Sequence, residues 1–400
     1  MRSVTSIQDR DSERKLLIIP SFLNTIGGTT FTTFLLIKGI HQLGWGKHIR
    51  VFVGKGSLLE DFFIKAGFID CLEVVNADSF FPSALQRVDR YPSNYPVLLY
   101  NTVSKDKLSR LLQASLSFRL NKRPVYHSCH DLCCSQNFVG NLARRVTFAC
   151  LSPQVICNSQ YTASHVRSIM PNIRGILHPP IDLEKISQRW EQSFPPPENL
   201  KPILASGAKI ILTPTRINKP GIVNDKNLRA LLPVLAELNK KQPYHLVIIG
   251  QDSSKTREYS KDLLQQAKTL GVENCFSILP PTLAIEDYYK FSDLVLTLAP
   301  REPFGRTVVE AISCGIPVIG SNTGGIYEIL QNFAPHWTVD PQDPVGIADR
   351  IIKLEDAGVK ENIIKGQRWI EQNCSVLDYT KRMIDIVGLF PQNNNRLSIN

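Results

Sequence analysis

Two carboxylates in the stretch "APREPFGRTVVEAISCGIPVIGSNTGGIYEIL", Ala299 to Leu330, stand with seven residues between them, on either side of a glycine. The strand-like "DLVLTLAP" runs into "REPFG", and the helical pattern "TVVEAISCG" follows, so a helix is expected to begin near Gly305 or Arg306. The backbone N–H groups of Phe304, Gly305, Arg306 and Thr307 would then face outward at the positive end of a helix dipole, a place suited to a diphosphate. Glu302, in the loop, has the chemistry to accept hydrogen bonds from sugar hydroxyls. Glu310, about one turn into the helix, has the reach for a ribose, whose paired hydroxyls suit a carboxylate acceptor. Together the two acids would grip opposite ends of one sugar nucleotide.

A second glycine-bearing turn lies near the start of the chain. In "IGGTT", Gly27 and Gly28 precede a helical pattern, and adjacent glycines let a backbone come close to a phosphate or a sugar. A tight turn that merely needs glycine would leave the same signature. Neither half of the chain carries the full dinucleotide-binding fingerprint.

Elements able to hold such residues follow in order. "KLLIIPSF", the glycine turn with its helix "TTFTTFLLIKGIHQLGW", and "KHIRVFVG" give strand, helix and strand, the signature of a parallel βαβ unit. Further strands are expected at "YPVLLYN", "RPVYHSC" and "PQVICNS". Three consecutive prolines in "SFPPPENL" mark a boundary. The pattern then restarts with strands at "AKIILTPTR", "YHLVIIG", "CFSILPP", "DLVLTLAP" and "IPVIGSN". The helices "DKNLRALLPVLAELNKK", "SSKTREYSKDLLQQAKTLG" and "TVVEAISCG" alternate with them.

The fold class is therefore α/β, with two Rossmann-like doubly wound domains at 15–185 and 208–375. A polar segment is expected at 1–14, a linker at 186–207, a last helix at 376–390 and a disordered tail at 391–400. Open α/β domains bind ligands outside the carboxyl ends of their strands, so the ligand is expected where the two sets of loops face each other.

With 400 residues, 43% hydrophobic and 20% charged, the chain is too long for one ordinary core and too apolar to be largely disordered. Its formal charge of +10 falls mostly in residues 1–200. A phosphorylated ligand, an anionic membrane or nucleic acid would each account for the excess, and so would solubility alone. No recognisable nucleic-acid module is present, and the basic residues are dispersed, so nucleic acid is not expected. The patches "FRLNKRP" and "LARRV" raise peripheral contact with an anionic membrane. No run approaches the roughly 18 to 20 apolar residues that span a bilayer, the N-terminus lacks a signal-like apolar stretch, and the nine cysteines show no repeating spacing. A cytoplasmic location follows, with attachment to the cytoplasmic membrane face as a further option.

"CHDLCC" gathers Cys129, His130, Cys133 and Cys134, but no second ligand pair at zinc spacing is evident, and no metal or other cofactor is expected.

The Glu302–Glu310 spacing, the "PFG" between the two acids, and the following "CGIPVI" and "TGG" together resemble the donor-binding motif of family 4 glycosyltransferases, which have the GT-B fold. The resemblance extends over most of the chain. It implies a retaining, metal-independent enzyme that moves a sugar from a nucleotide-diphosphate sugar to an acceptor hydroxyl on a glycan, a lipid or a small molecule. It also implies that Arg216 and Lys226 are the basic pair holding the diphosphate. Fixed cations there stabilise the negative charge gained by the departing nucleotide. The loop between them is longer than in most members, so Lys219 competes with Lys226.

"KNL" resembles the sucrose-phosphate synthase branch. His130 resembles the family's histidine beside the transferred sugar, and Ser159 in "VICNSQYTASHV" matches a segment given a structural or cleft-lining role. Three details depart from the pattern: Arg301 stands where serine is usual, Thr29 where an acid is common, and "HPPID" at His178 to Asp182 replaces "NGVD". The alternatives are a sugar-nucleotide epimerase of the same fold and a non-catalytic sugar-nucleotide-binding protein.

Overall fold

Strand β1 (Leu16–Ile19) is Leu-Leu-Ile-Ile with every side chain buried, which is possible only where both faces of a sheet are covered. Leu17 and Ile19 point into one hydrophobic core while Leu16 and Ile18 point into another, following the two-residue period of a strand. The computed structural model describes residues 14–390, except 22–23, 25–26, 135–137, 222–224 and 356–357. The expected N-terminal segment 1–14, apart from Arg14, and the tail 391–400 lie outside the described residues.

The chain divides into two units. One takes in the chain up to Pro180 together with the segment from Cys374 onward; the other is Ile181–Asn373.

The first unit is built on a seven-stranded parallel sheet in the order β3-β2-β1-β4-β5-β6-β7. Its other members are β2 (Ile49–Gly54), β3 (Leu72–Val75), β4 (Val97–Tyr100), β5 (Val125–Cys129), β6 (Gln154–Cys157) and β7 (Ile173–Ile176). The winding direction reverses between β1 and β4, so their carboxyl ends flank a topological switch point.

The helix Val376–Ile386 packs in this unit against Gly28–Gln42, burying Tyr379, Met383 and Ile384 beside Leu36, Ile37 and Ile40. The approach is close enough that a Cβ on Gly39 would lie within 2.1 Å of the Thr380 hydroxyl. Tyr379 completes the contact through a 2.6 Å hydrogen bond between its hydroxyl and that of Tyr100, at the end of β4.

The second unit repeats the plan with six parallel strands in the order β10-β9-β8-β11-β12-β13. These are β8 (Lys209–Pro214), β9 (Tyr244–Ile249), β10 (Phe276–Leu279), β11 (Leu294–Thr297), β12 (Val318–Ser321) and β13 (Thr338–Val339). Its switch point lies between β8 and β11. The fold class is the one the sequence implies.

Local boundaries differ from the expected ones in two places. The stretch 186–207, expected as a linker, belongs to the second unit, which begins at Ile181, and it holds most of helix Leu183–Glu191 and all of Lys201–Ala205. Ion pairs fix the first of these helices: Arg189 grips Asp287 through two bonds of 2.6 and 2.7 Å, and Lys185 reaches Glu286 at 2.8 Å. The other difference concerns "DKNLRALLPVLAELNKK". Its α-helix is only Leu231–Asn239, preceded by a short turn of 3-10 helix at Leu228–Ala230, because Asn227 takes a left-handed φ of 51° and interrupts the pattern. Lys226 is left on a loop rather than on a helix.

Candidate active site

The loop that leaves β11 is held by the turn that leaves β12. Thr323 donates its hydroxyl to the Pro300 carbonyl at 2.8 Å, and the Gly325 amide donates to the Glu302 carbonyl at 2.7 Å. Gly324, at φ 75°, and Gly325 bring backbone directly against backbone: a Cβ on Gly325 would stand 2.5 Å from Phe304 Cα and its carbonyl oxygen. Only glycine permits that approach. Gly305 then turns the chain at φ 98° and caps the helix Arg306–Ser313, where the sequence places the helix start. Phe304 is buried beneath the turn, while Arg306 and Thr307 are half-buried in the first helical turn.

Both acids are engaged. Glu302 accepts from Lys226 Nζ at 2.5 Å, with each side chain 20% exposed. Glu310 accepts from Arg306 Nε at 2.7 Å and from the Tyr289 hydroxyl at 3.2 Å. Burial and the neighbouring Glu310 carboxylate push the Tyr289 phenol well above its usual range, so it remains a donor. A carboxylate has about four lone-pair directions, so these two bonds leave Glu310 able to accept more.

Lys226 owes its position to its neighbours. Asp225 accepts from the Asn227 amide at 2.7 Å and from the Gly221 amide at 3.1 Å, and Asn227 donates its side-chain amide to the Leu298 carbonyl at 3.1 Å. The last bond ties the loop after β8 to the end of β11, directly before the "REPFG" loop.

Arg216 follows β8 by two residues. On either side of it, the Thr215 amide donates to the Ile249 carbonyl and the Ile217 amide to the Gln251 carbonyl, both at 2.9 Å. Gly250 permits this, since a Cβ there would collide with the Thr215 carbonyl. The Arg216 side chain is exposed and makes no ion pair among the described residues. Lys219 is likewise exposed, and it is Lys226 that meets Glu302. The second unit therefore gathers Lys226, Glu302, Arg306 and Glu310 about the "REPFG" loop, with Arg216 beyond the other strand flanking its switch point.

In the first unit, Gly27 sits at φ −144°, an extended conformation open to any residue, and among the described residues nothing stands within 4 Å of where its Cβ would be. Neither the backbone angle nor packing among the described residues demands glycine there. Gly28 opens the helix.

His130 follows β5, its ring stacked on Tyr100 at 5.3 Å between centroids, with Nε2 at 3.0 Å from the Ser128 hydroxyl. Its amide donates to the side chain of Asn101, which turns the chain after β4 at φ 51°. Cys129 and Cys133 are buried, and the Cys129 thiol lies 3.0 Å from Nδ1 of buried His127. Among the described residues no group of three or more His, Cys, Asp or Glu side chains could hold a metal ion. The Ser159 hydroxyl accepts from the Thr162 amide at 2.9 Å and caps a helix.

Sequence reasoning did not assign Tyr289, Asn227 or the Thr323–Gly325 turn a mechanical role. Nothing in the sequence pairs Tyr289 with Glu310. The signal for the others was present, in an asparagine that interrupts a helical pattern and in a glycine pair following a strand.

Two doubly wound parallel units in one chain define the fold class of the GT-B glycosyltransferases. The Anabaena protein HepE, solved in complex with UDP and glucose, superposes with a TM-score of 0.74 over 94% of this chain and 100% of its own, at 17% identity. The particular family signal lies in the second unit, where residues 205–373 match the family model "Glycosyl transferases group 1". Curated relatives agree. This chain is 28% identical over 151 residues to the N-acetyl-alpha-D-glucosaminyl L-malate synthase of Bacillus anthracis, covering 38% of this chain and 37% of that protein. It is 28% identical over 166 residues to the D-inositol 3-phosphate glycosyltransferase of Salinispora tropica, covering 40% of this chain and 34% of that one. The chain thus matches little more than a third of the length of either relative.

Proposed function

We propose that the protein is a retaining glycosyltransferase of family 4, moving a sugar from a nucleotide-diphosphate donor to an acceptor hydroxyl without a metal ion. The observation that carries this reading is the Lys226–Glu302 pair at the "REPFG" loop, with Arg216 exposed beyond the neighbouring strand. Arg216 and Lys226 take the diphosphate and stabilise the charge it gains as the glycosidic bond breaks. Entry of the donor exchanges partners: Lys226 turns from Glu302 to a phosphate, and the freed carboxylate accepts from sugar hydroxyls. Glu310, already oriented by Arg306 and Tyr289, accepts from the ribose with its remaining lone pairs. The amides at the start of the Arg306–Ser313 helix add positive potential beside the diphosphate.

Gly27 and Gly28 bring backbone close to a phosphate or sugar of the donor, and His130 keeps the role that the resemblance gives it, beside the sugar being transferred. The open space at Gly27 supports this reading. The same resemblance includes the sucrose-phosphate synthase branch through "KNL", where Lys226 and Asn227 stand. The acceptor is a glycan, a lipid or a small molecule, and the basic surplus of residues 1–200 supports a peripheral contact with an anionic membrane.

UDP-glucose heads the panel of donors to test because HepE has been solved with UDP and glucose. The test follows nucleoside diphosphate release across UDP-, ADP- and GDP-sugars, with and without a chelator, and reads the anomeric configuration of any product by NMR. Arg216→Ala, Lys226→Ala and Glu302→Ala are expected to lose most of the activity while remaining folded. Wild-type rates in all three would overturn the assignment.

A further inference from the structure

Helices Lys105–Leu120 and Phe138–Leu151 pack side by side in the first unit, joined where Arg119 Nη2 donates to the Ala149 carbonyl at 2.7 Å. Each buries one face: Leu108, Leu111 and Phe118 on the first, Phe148 and Leu151 on the second, all within one core. Each also carries apolar residues on the face turned to solvent. Leu112, Leu116 and Leu120 recur at four-residue spacing and are exposed, Leu116 at 65% and Leu120 at 75%. On the neighbouring helix Phe138, Leu142 and Val146 recur at the same spacing, with Val139 beside them; Phe138 is 80% and Val139 72% exposed. Single exposed apolar residues are ordinary on any protein. Two stripes on two adjoining helices, neither serving the core, are not.

The charges around the stripes are mostly basic, the exceptions being Asp106 and Asp89, whose carboxylate accepts from the Ser117 hydroxyl at 2.9 Å. Lys105, Arg110, Arg119, Lys122 and Arg145 are exposed, and among the described residues none forms an ion pair. Asp106 is the sole acid in the two helices. We infer that these paired outer faces are a docking surface for an anionic lipid bilayer. The apolar stripes enter the interface, and the bases meet lipid phosphates, as an interfacial helix requires. No described helix is long and apolar enough to cross a membrane, so the helices lie on the surface rather than span it. A second copy of the chain fits this face poorly, since an isologous contact would bring the same five bases against themselves with only Asp106 and Asp89 to offset them. The inference rests on the peripheral membrane contact proposed above and names its surface; it stands apart from the donor chemistry, and its readout is independent of activity.

The experiment is flotation of the full chain with vesicles of phosphatidylcholine alone and of phosphatidylcholine mixed with phosphatidylglycerol, at low and high salt. Wild type is expected to float with the mixed vesicles at low salt, to release as salt rises, and to stay behind with phosphatidylcholine alone. Leu116→Ser/Phe138→Ser/Leu142→Ser and, separately, Lys122→Glu/Arg145→Glu are each expected to lower partition about tenfold or more with an unchanged circular dichroism spectrum. The charge variant alone decides if the apolar variant does not fold. The inference is overturned if wild type stays with the unbound protein at low salt, or if folded variants float like wild type. It is equally overturned if the apolar variant converts a dimer to a monomer while wild type ignores the vesicles.

Discussion

Lys226 and Glu302 neutralise each other across 2.5 Å, although the loops that bear them leave different strands, β8 and β11. In the function proposed above, they are a latent pair of binding groups, one for a phosphate and one for hydroxyls.

Replacing either residue with alanine should lower the rate of sugar transfer by about 10² to 10³, the range found when one fixed electrostatic partner of a transition state is removed. Both side chains are partly exposed, so stability should change little, and the double variant should melt close to the two singles. Steady-state kinetics with thermal melts checks both halves. A variant that keeps its rate but melts at a markedly lower temperature would reduce the pair to a structural contact.

Gly325→Ala tests the seat of the loop. The added methyl meets Phe304 Cα and its carbonyl oxygen at 2.5 Å, atoms that cannot move aside as a flexible side chain would. The expected cost is about 1 to 3 kcal/mol of stability, as for other overpacked sites. Donor affinity should fall as well, because the Gly325 amide also holds the Glu302 carbonyl. Urea unfolding and titration with the nucleoside diphosphate read the two effects separately.

The sequence carried the central strands almost completely, since strands such as β1 and β4, buried on both faces, must be continuous apolar runs. The edge strands β3, β7 and β13 escaped it. Leu72–Val75 and Ile173–Ile176 are half exposed, and Thr338–Val339 is two residues long, so none writes such a run. The helix start at Gly305 was legible because a glycine between a strand and an apolar periodicity has few other uses. The pairing of Lys226 with Glu302 was not legible. It depends on the left-handed turn at Asn227 and its bond to the Leu298 carbonyl, 71 residues away in sequence.

Tyr289→Phe isolates a positioning residue. The phenol is fully buried and its one hydrogen bond among the described residues is the 3.2 Å bond to Glu310, so the variant leaves that carboxylate to Arg306 alone. A lost hydrogen bond of this kind is worth about 1 kcal/mol net, so KM for the donor should rise roughly fivefold while kcat changes less. Equal loss in both constants, or a rate insensitive to the substitution, would contradict the role.

The last test concerns pH and His127, whose ring is buried within β5. The Thr102 amide donates to Nε2 at 3.2 Å, which makes that nitrogen an acceptor and places the proton on Nδ1, toward the Cys129 sulfur at 3.0 Å. Protonating Nε2 would bury a charge and break the Thr102 bond. Burial first, and the nearby His130 second, accordingly push the His127 pKa down to about 3. The unfolded chain binds this proton near the ordinary histidine value of about 6.5, so the contribution is fully present above that pH. It is lost as pH falls toward 3, at up to about 1.4 kcal/mol per pH unit. Carboxylates titrate in the lower part of the same window, so the comparison is with His127→Gln, which keeps an acceptor for the Thr102 amide. Unfolding free energies of the two proteins should run parallel above pH of about 7 and converge below about 6, with wild type losing stability faster. Parallel curves down to about pH 5 would mean that His127 takes up its proton without unfolding the strand.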